Sequence, residues 1–356
     1  MDSKNRVIVL DYVRALALIM IFLNHAMSTF YIDQLNPELF NEISFKSQMF
    51  MVNGYIISRL GVPLFLFLTG ALVLSKNFTS KEDIKTFYKK NLLSLVISVI
   101  IWNIIYYFIN MSITNSVFKW DDLLLTILFL RKSVYGHMWY MPMIIGMYLF
   151  LPYISLIVKK YDIKVLKVPV IISLIVFFVI PYLNIIFAQL DNPFNLSVTL
   201  NLNFSGAQYG LYIILGYYIY NSNLFSKISY KLKYILICLG YFASVFLQVY
   251  LYRLNVNSIV YYNFIGVLLF SALIFSIMIK RNYRESKIME YISRNSLGIF
   301  FIHFPVLILL NNYITINASR PVLVIIFYIM AFIVSIIIIE ILKLFKITRV
   351  YLLRYK

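Results

Sequence analysis

Ten apolar runs, each close to the length that crosses a bilayer, decide what this chain can fold into. They fall at about 7–31, 54–75, 91–113, 137–158, 165–187, 207–222, 231–252, 258–279, 296–313 and 321–345, against the roughly 20 residues a helical span needs. In hydrocarbon each backbone amide must find its partner within its own helix or in a closed barrel. Runs this long and uniform predict an all-α, polytopic integral membrane bundle of about ten transmembrane helices. The balance agrees: 62% of the 356 residues are hydrophobic and 13% charged, where a soluble domain is nearer half and a quarter. The stretch 121–131, DDLLLTILFLR, is too short to span; with two acids at its start and Arg131 at its end it suits an interfacial or re-entrant helix.

Charge then gives orientation. The chain carries 32 Lys and Arg against 14 Asp and Glu, a net charge of +18. These cations sit in short loops between apolar runs, the pattern of topology control rather than of nucleic-acid binding, so no nucleic acid is expected as a partner. With the N-terminus inside, 24 of the 32, including Lys4 and Arg6, fall in inner segments and 7 in outer ones, while Arg14 lies within the first span. Both termini are therefore expected in the cytoplasm, in a multi-pass protein of the cell membrane. The longest outer connections, 32–53, 114–136 and 188–206, hold Asp33, Glu38, Glu42, Asp121, Asp122 and Asp191.

The first apolar run is a full span, longer than the about 7–15 residues of a signal-peptide core, so no cleaved leader is expected. No Gly/Ser/Pro-rich linker interrupts the chain, which reads as one integral membrane domain over 1–356. Cys238 stands alone and suits a small core or lipid-facing residue. With three histidines and no HExxH, no metal site is expected. A P-loop and a G-x-S-x-G elbow are also absent from the sequence, so an NTP engine or serine nucleophile is unsupported.

The first span, LDYVRALALIMIFLNH at 10–25, carries Asp11, Arg14 and His25. An ionisable group at mid-bilayer costs about 2.5–3.5 kcal/mol on insertion scales. Eleven steps separate Arg14 from His25, which on a helix leaves them about 20° apart around the axis and about 16.5 Å apart along it. Leu18 and Ile21 lie between them on one stripe, and Asp11 stands three residues before Arg14 on the same face. The helix thus presents a charged pair toward the cytoplasm and a base toward the outside. The residues alone also allow a structural ion pair with a packing histidine.

Other positions invite the same double reading. Pro63, about eight residues into the second span from outside, is expected near the depth of His25, where it would bend the helix and line protein or a wet path. Arg59 at the outer mouth suits a phosphate or polar acceptor, or an interfacial anchor. His137, Trp139 and Tyr140 open the fourth span and would rim that mouth, as an acceptor site or as part of the aromatic belt. His303, near the middle of the ninth span, would hydrogen-bond in the core or line the path. Gly206 and Gly210 match a G-x-x-x-G packing pair.

Four segments resemble the membrane acyltransferase 3 family: LDYVRALALIMIFLNH, with its Arg and His separated by ten residues; SRLGVPLFLFLTG at 58–70; HMWYMPMIIGMYLFLPYI at 137–154; and SLGIFFIHFPVL at 296–307. They occur in family order across the chain. Two departures stand out. The inner KTFYKK (Lys85–Lys90) is all lysine where many members carry R-x-x-R, and no C-terminal hydrolase-like domain is expected, so the resemblance is to the stand-alone ten-span type.

The resemblance implies an O-acyltransferase, an O-acetyltransferase first, that takes acetyl-CoA or another short acyl-CoA as cytoplasmic co-substrate. Its acceptor would be a hydroxyl of a cell-surface or lipid-linked glycan. No tightly bound cofactor is implied. On this reading Arg14, oriented by Asp11, attends the donor; Lys85, Lys89 and Lys90 attract the CoA phosphates; and His25 is general base, since an imidazole titrates near 6.5. Arg59, His137, Trp139 and Tyr140 would hold the acceptor, with His303 and Pro63 lining the path. A transporter of a small polar solute or glycan precursor is the competing class, because ten spans with intramembrane charges also describe solute carriers.

Overall fold

The computed structural model describes residues 7–32, 35–190, 193–199, 206–222 and 224–355. It is 77% helical, with no strand among the described residues. Lys4, Arg6, Asp33 and Asp191 of the sequence reading lie outside the described residues. The helices in chain order are α1 (Ile8–Tyr31), α2 (Pro37–Glu42), α3 (Phe45–Ser58), α4 (Gly61–Thr69), α5 (Lys81–Phe87), α6 (Ser94–Thr114), α7 (Trp120–Ile127), α8 (Tyr140–Lys160), α9 (Lys167–Leu174), α10 (Ile180–Phe187), α11 (Ala207–Asn221), α12 (Tyr230–Arg253), α13 (Ile265–Met278), α14 (Lys287–Arg294), α15 (Ser296–Tyr313), α16 (Arg320–Lys343) and α17 (Lys346–Tyr351).

Among the described residues, eight stretches are long and apolar enough to cross a membrane: Ile8–Tyr31, Phe45–Leu74, Lys81–Thr114, Gly136–Lys160, Ile163–Phe187, Tyr230–Arg253, Ser296–Tyr313 and Arg320–Lys343. The remaining two expected spans are the shorter helices α11 and α13. The second span begins at Phe45 rather than near 54, because Ser44 caps α3 by accepting from the Ser47 amide. α7 is the short helix expected at the DDLLLTILFLR stretch, and Asp122 near its start is ion-paired with Arg131 beyond its end. Gly206 caps α11 with a φ of 81°, where an L side chain is strained.

The described residues divide into two compact units, Met1–Lys76 with Tyr153–Glu290, and Asn77–Pro152 with Tyr291–Lys356. In the first, the apolar helix α4 is buried nearly all round and packs on α1, α11 and α13. Backbones touch where side chains vanish. A Cβ added at Gly216 of α11 would stand 2.4 Å from the Phe67 Cα, and one at Gly70 would stand 1.9 Å from the Ile213 carbonyl oxygen. In the second unit α15 packs on α16 and α6 on α17. The chain end is pinned there, with Ser98 Oγ donating to the Tyr351 carbonyl (2.6 Å) and Trp102 Nε1 to that of Leu352 (3.1 Å).

Candidate functional site

In the first unit α1 lies against α3 and α4. Its stripe is sealed in the middle: Leu18 and Ile21 are buried, and Arg14 and His25 at either end are half-buried. The seal is backbone-tight at Gly61, where an added Cβ would meet Ile21 Cγ1 at 2.7 Å, the Ile21 nitrogen at 2.8 Å and the Ala17 oxygen at 2.9 Å. Asp11 is buried in the first turn of α1. That end is tied down by Tyr12, whose hydroxyl donates to the Arg284 carbonyl (3.0 Å) and whose ring stacks on Tyr283 at 4.3 Å.

One residue before His25, Asn24 Nδ2 donates to Ser58 Oγ at 2.9 Å, and Ser58 Oγ donates to the Tyr55 carbonyl at 2.7 Å. The level of His25 is therefore marked by Ser58, and Pro63 lies deeper along the second span. This corrects the expected place of the proline, and the reason is local. Proline lacks an N–H and crowds the carbonyl four residues back, which here belongs to Arg59. The span breaks at that point. α3 ends at Ser58, the Arg59 amide is shared between the Tyr55 and Ile56 carbonyls (both 3.2 Å), and α4 restarts at Gly61 with Pro63 in its first turn. Pro63 is buried.

The Arg59 side chain at this interruption is buried. It is only 5% exposed, so it is neither an interfacial anchor nor an open mouth residue. Its guanidinium lies over the Tyr261 ring at 4.5 Å, with the Tyr262 ring at 5.5 Å and the Tyr55 ring at 5.9 Å. The segment bearing Tyr261 and Tyr262 is held by Gln248, whose amide accepts from the Val260 amide (2.6 Å) and donates to the Ser258 carbonyl (3.1 Å). Tyr212 adds a hydroxyl bond to the Tyr262 carbonyl at 2.7 Å. None of these tyrosines was singled out from the sequence, since 30 tyrosines along the chain give no local signal. Asn24, a polar residue beside His25 in an apolar run, did offer one.

The second unit holds the other candidates. His137 and Tyr140 are buried rather than exposed at a rim. The His137 ring sits among Tyr106, Phe300, His303 and Phe304, with ring centres 5.7, 5.3, 5.6 and 4.8 Å away. His303 is fully buried, and its Nδ1 is 2.9 Å from the Ile299 carbonyl oxygen in its own helix. Trp139 instead helps line a cavity of about 420 Å³ with Asn103, Arg131, Lys132, Ser133 and Tyr135. Lys85, Lys89 and Lys90 are exposed, Lys85 lying 3.9 Å from Glu82 one turn away. Arg354 braces the backbone beside them, donating to the Lys90 and Asn91 carbonyls (3.3 and 3.2 Å) and to Ser94 Oγ (2.7 Å).

The first unit thus brings Asp11, Arg14, His25, Arg59 and Pro63 onto α1 and the broken second span, and the second unit gathers the remaining candidates. Among the described residues no three His, Cys, Asp or Glu side chains cluster as a metal site. A base, a buried cation and a facing hydroxyl–amide pair at one level can remove a proton from a hydroxyl and hold a polar group beside it. A family model described as an acyltransferase domain matches residues 7–340. No curated protein and no solved structure matches the chain.

Proposed function

Because the chain belongs to the acyltransferase 3 family, we propose that this multi-pass membrane acyltransferase is an O-acetyltransferase of the cell membrane. It would take acetyl, or another short acyl group, from cytoplasmic acyl-CoA to a hydroxyl of a cell-surface or lipid-linked glycan. The observation that carries this reading is the α1 stripe, which holds Asp11 and Arg14 near one end of a single helix and His25 near the other. A ring nitrogen of His25 accepts the acceptor hydroxyl's proton as that oxygen forms its bond to the acyl carbon. The carbon–sulfur bond of the thioester then breaks, and the thiolate takes up a proton to leave as free CoA. Arg14, with Asp11, attends the donor, and Lys85, Lys89 and Lys90 draw in its phosphates. Arg59 holds the acceptor.

The test is His25→Ala in lipid nanodiscs supplied with labelled acetyl-CoA and glycan. Loss of a general base lowers the rate by about 10²–10⁴-fold, with the melting temperature unchanged. Wild-type transfer by this variant would remove His25 from the chemistry. A transporter remains the second reading, because a broken helix carrying a buried cation also suits solute passage. Solute flux without deposition of label on the glycan would favour it.

A further inference from the structure

Arg59 raises a physical difficulty that its motif does not explain. A guanidinium stays protonated in any protein setting, and this one is 95% removed from solvent, being 5% exposed. Taking such a charge out of water costs several kcal/mol unless an opposite charge and hydrogen bonds replace the hydration. Here the surroundings are aromatic. Tyr55, Tyr261 and Tyr262 present rings to it, the Tyr262 hydroxyl accepts a hydrogen bond from it, and its charge also reaches the phenols of Tyr182, Tyr209 and Tyr252. Ring faces return only part of that cost, and no ion pair joins Arg59 to a carboxylate among the described residues.

The Nε–H of Arg59 is buried with no hydrogen-bond partner, and so is the hydroxyl of Tyr252, which is itself fully buried at the end of α12. Phenols ionise near 10, so at neutral pH Tyr252 is a donor. One fixed positive charge and two buried unmet donors, the second within reach of that charge, call for a group that is negative and accepts hydrogen bonds. A hydroxyl or an amide would leave the charge uncompensated. An alkoxide that exists only in a transition state would leave it so at rest.

We propose that Arg59 and Tyr252, walled by Tyr55, Tyr261 and Tyr262, form an oxyanion pocket that binds a carboxylate or phosphate carried by the acceptor. The identification of the occupant as acceptor rests on the acyl-transfer reading above. The Asn24–Ser58 bond supports it, because the chain neighbours of His25 and Arg59 are joined at 2.9 Å. The anion is thereby held at the level of the base. The acceptor glycan is accordingly acidic, with its charged group near the hydroxyl that is acylated.

The experiment uses the full chain in nanodiscs without acyl-CoA and three probes: glucuronate, glucose 6-phosphate and glucose. Binding is read by tyrosine near-UV dichroism. At least one anionic sugar binds about tenfold or more tighter than glucose, the scale of one charge-assisted hydrogen bond, and the tighter of the two identifies carboxylate or phosphate as the source. Arg59→Gln abolishes that preference, Arg59→Lys keeps part of it, and Tyr252→Phe weakens it a few-fold, with melting checked for each. Equal affinity for all three sugars, no binding of either anion, or an unchanged preference in a folded Arg59→Gln protein overturns the pocket. His25→Ala separates the two readings: it binds the anionic sugar as wild type does yet transfers nothing. A wild-type protein that shows the preference but acylates no acceptor leaves the pocket standing and removes the acyl-transfer reading.

Discussion

Two prolines within apolar spans have opposite consequences in this molecule. Pro63 opens the second span at Arg59, four residues back, and a buried cation leaves the helix there. Pro305 lies inside α15, which nevertheless runs unbroken from Ser296 to Tyr313. The carbonyl that Pro305 orphans belongs to Phe301, and it accepts instead from the Tyr106 hydroxyl at 2.5 Å. A foreign donor stands in for the missing amide, so the helix continues and His303, two residues earlier, stays sealed among rings. The missing backbone bond is the same in both cases. What differs is whether a neighbour replaces it, and that choice separates an interrupted span with a buried cation at the interruption from a helix that runs on through the core.

The sharpest way to break this comparison is to remove the replacement. Tyr106→Phe keeps the ring packed against Trp102 and edge-to-face with Tyr135 and leaves the Phe301 carbonyl buried without a donor. The expected loss is about 1–3 kcal/mol of stability, measured as a lower unfolding midpoint in detergent, with the transfer rate of the folded protein unchanged. Pro305→Ala restores an amide at the right place, so in the double variant most of that loss disappears. If Tyr106→Phe is as stable as wild type, or if Pro305→Ala fails to rescue it, the hydroxyl is not what keeps α15 whole.

The converse change, Pro63→Ala, restores the amide that could bond the Arg59 carbonyl and lets α3 run into α4. Helix continuity is gained, so the unfolding midpoint holds or rises, but Arg59 is drawn back toward the helix axis. A misplaced acceptor group is expected to lower kcat/KM by about tenfold, near 1.4 kcal/mol of transition-state stabilisation. The loss should appear with the acceptor varied and not with the donor varied. An unchanged acceptor profile would show that Arg59 reaches its chamber without the proline.

These two spans also show what the sequence could and could not carry. The pattern of apolar runs located every long helix, and the Arg14–His25 spacing placed both residues on a stripe whose middle is buried, because helical phase is a local property. The outcome of each proline was not legible. It depends on Tyr106, nearly two hundred residues from Phe301 in the chain, and on whether any such donor exists for Arg59. For the same reason His137 and Tyr140 read as rim residues from their place at a span's outer end, yet they are buried. Arg59 read as a mouth residue, when its tyrosine chamber is assembled from α3, α12 and the segment before α13. Composition could not pick four tyrosines out of 30.

The smallest effect belongs to the inner lysines, and its size follows from their exposure. Lys85, Lys89 and Lys90 stand in solvent, and Lys85 has only a 3.9 Å pairing with an equally exposed Glu82. Surface charges of this kind contribute through long-range attraction rather than fixed contacts, and an exposed pair is worth about 0–1 kcal/mol. Replacing all three by Gln should raise the KM for acetyl-CoA by about two- to fivefold at low ionic strength, leaving kcat unchanged. In 1 M salt, where the screening length shrinks to about 3 Å, variant and wild type should converge. A KM difference that survives high salt would mean that at least one lysine touches a CoA phosphate directly. The bracing of the Lys90 and Asn91 carbonyls by Arg354 would then be part of a preformed donor site, giving the second unit a binding element as definite as the Arg59 chamber of the first.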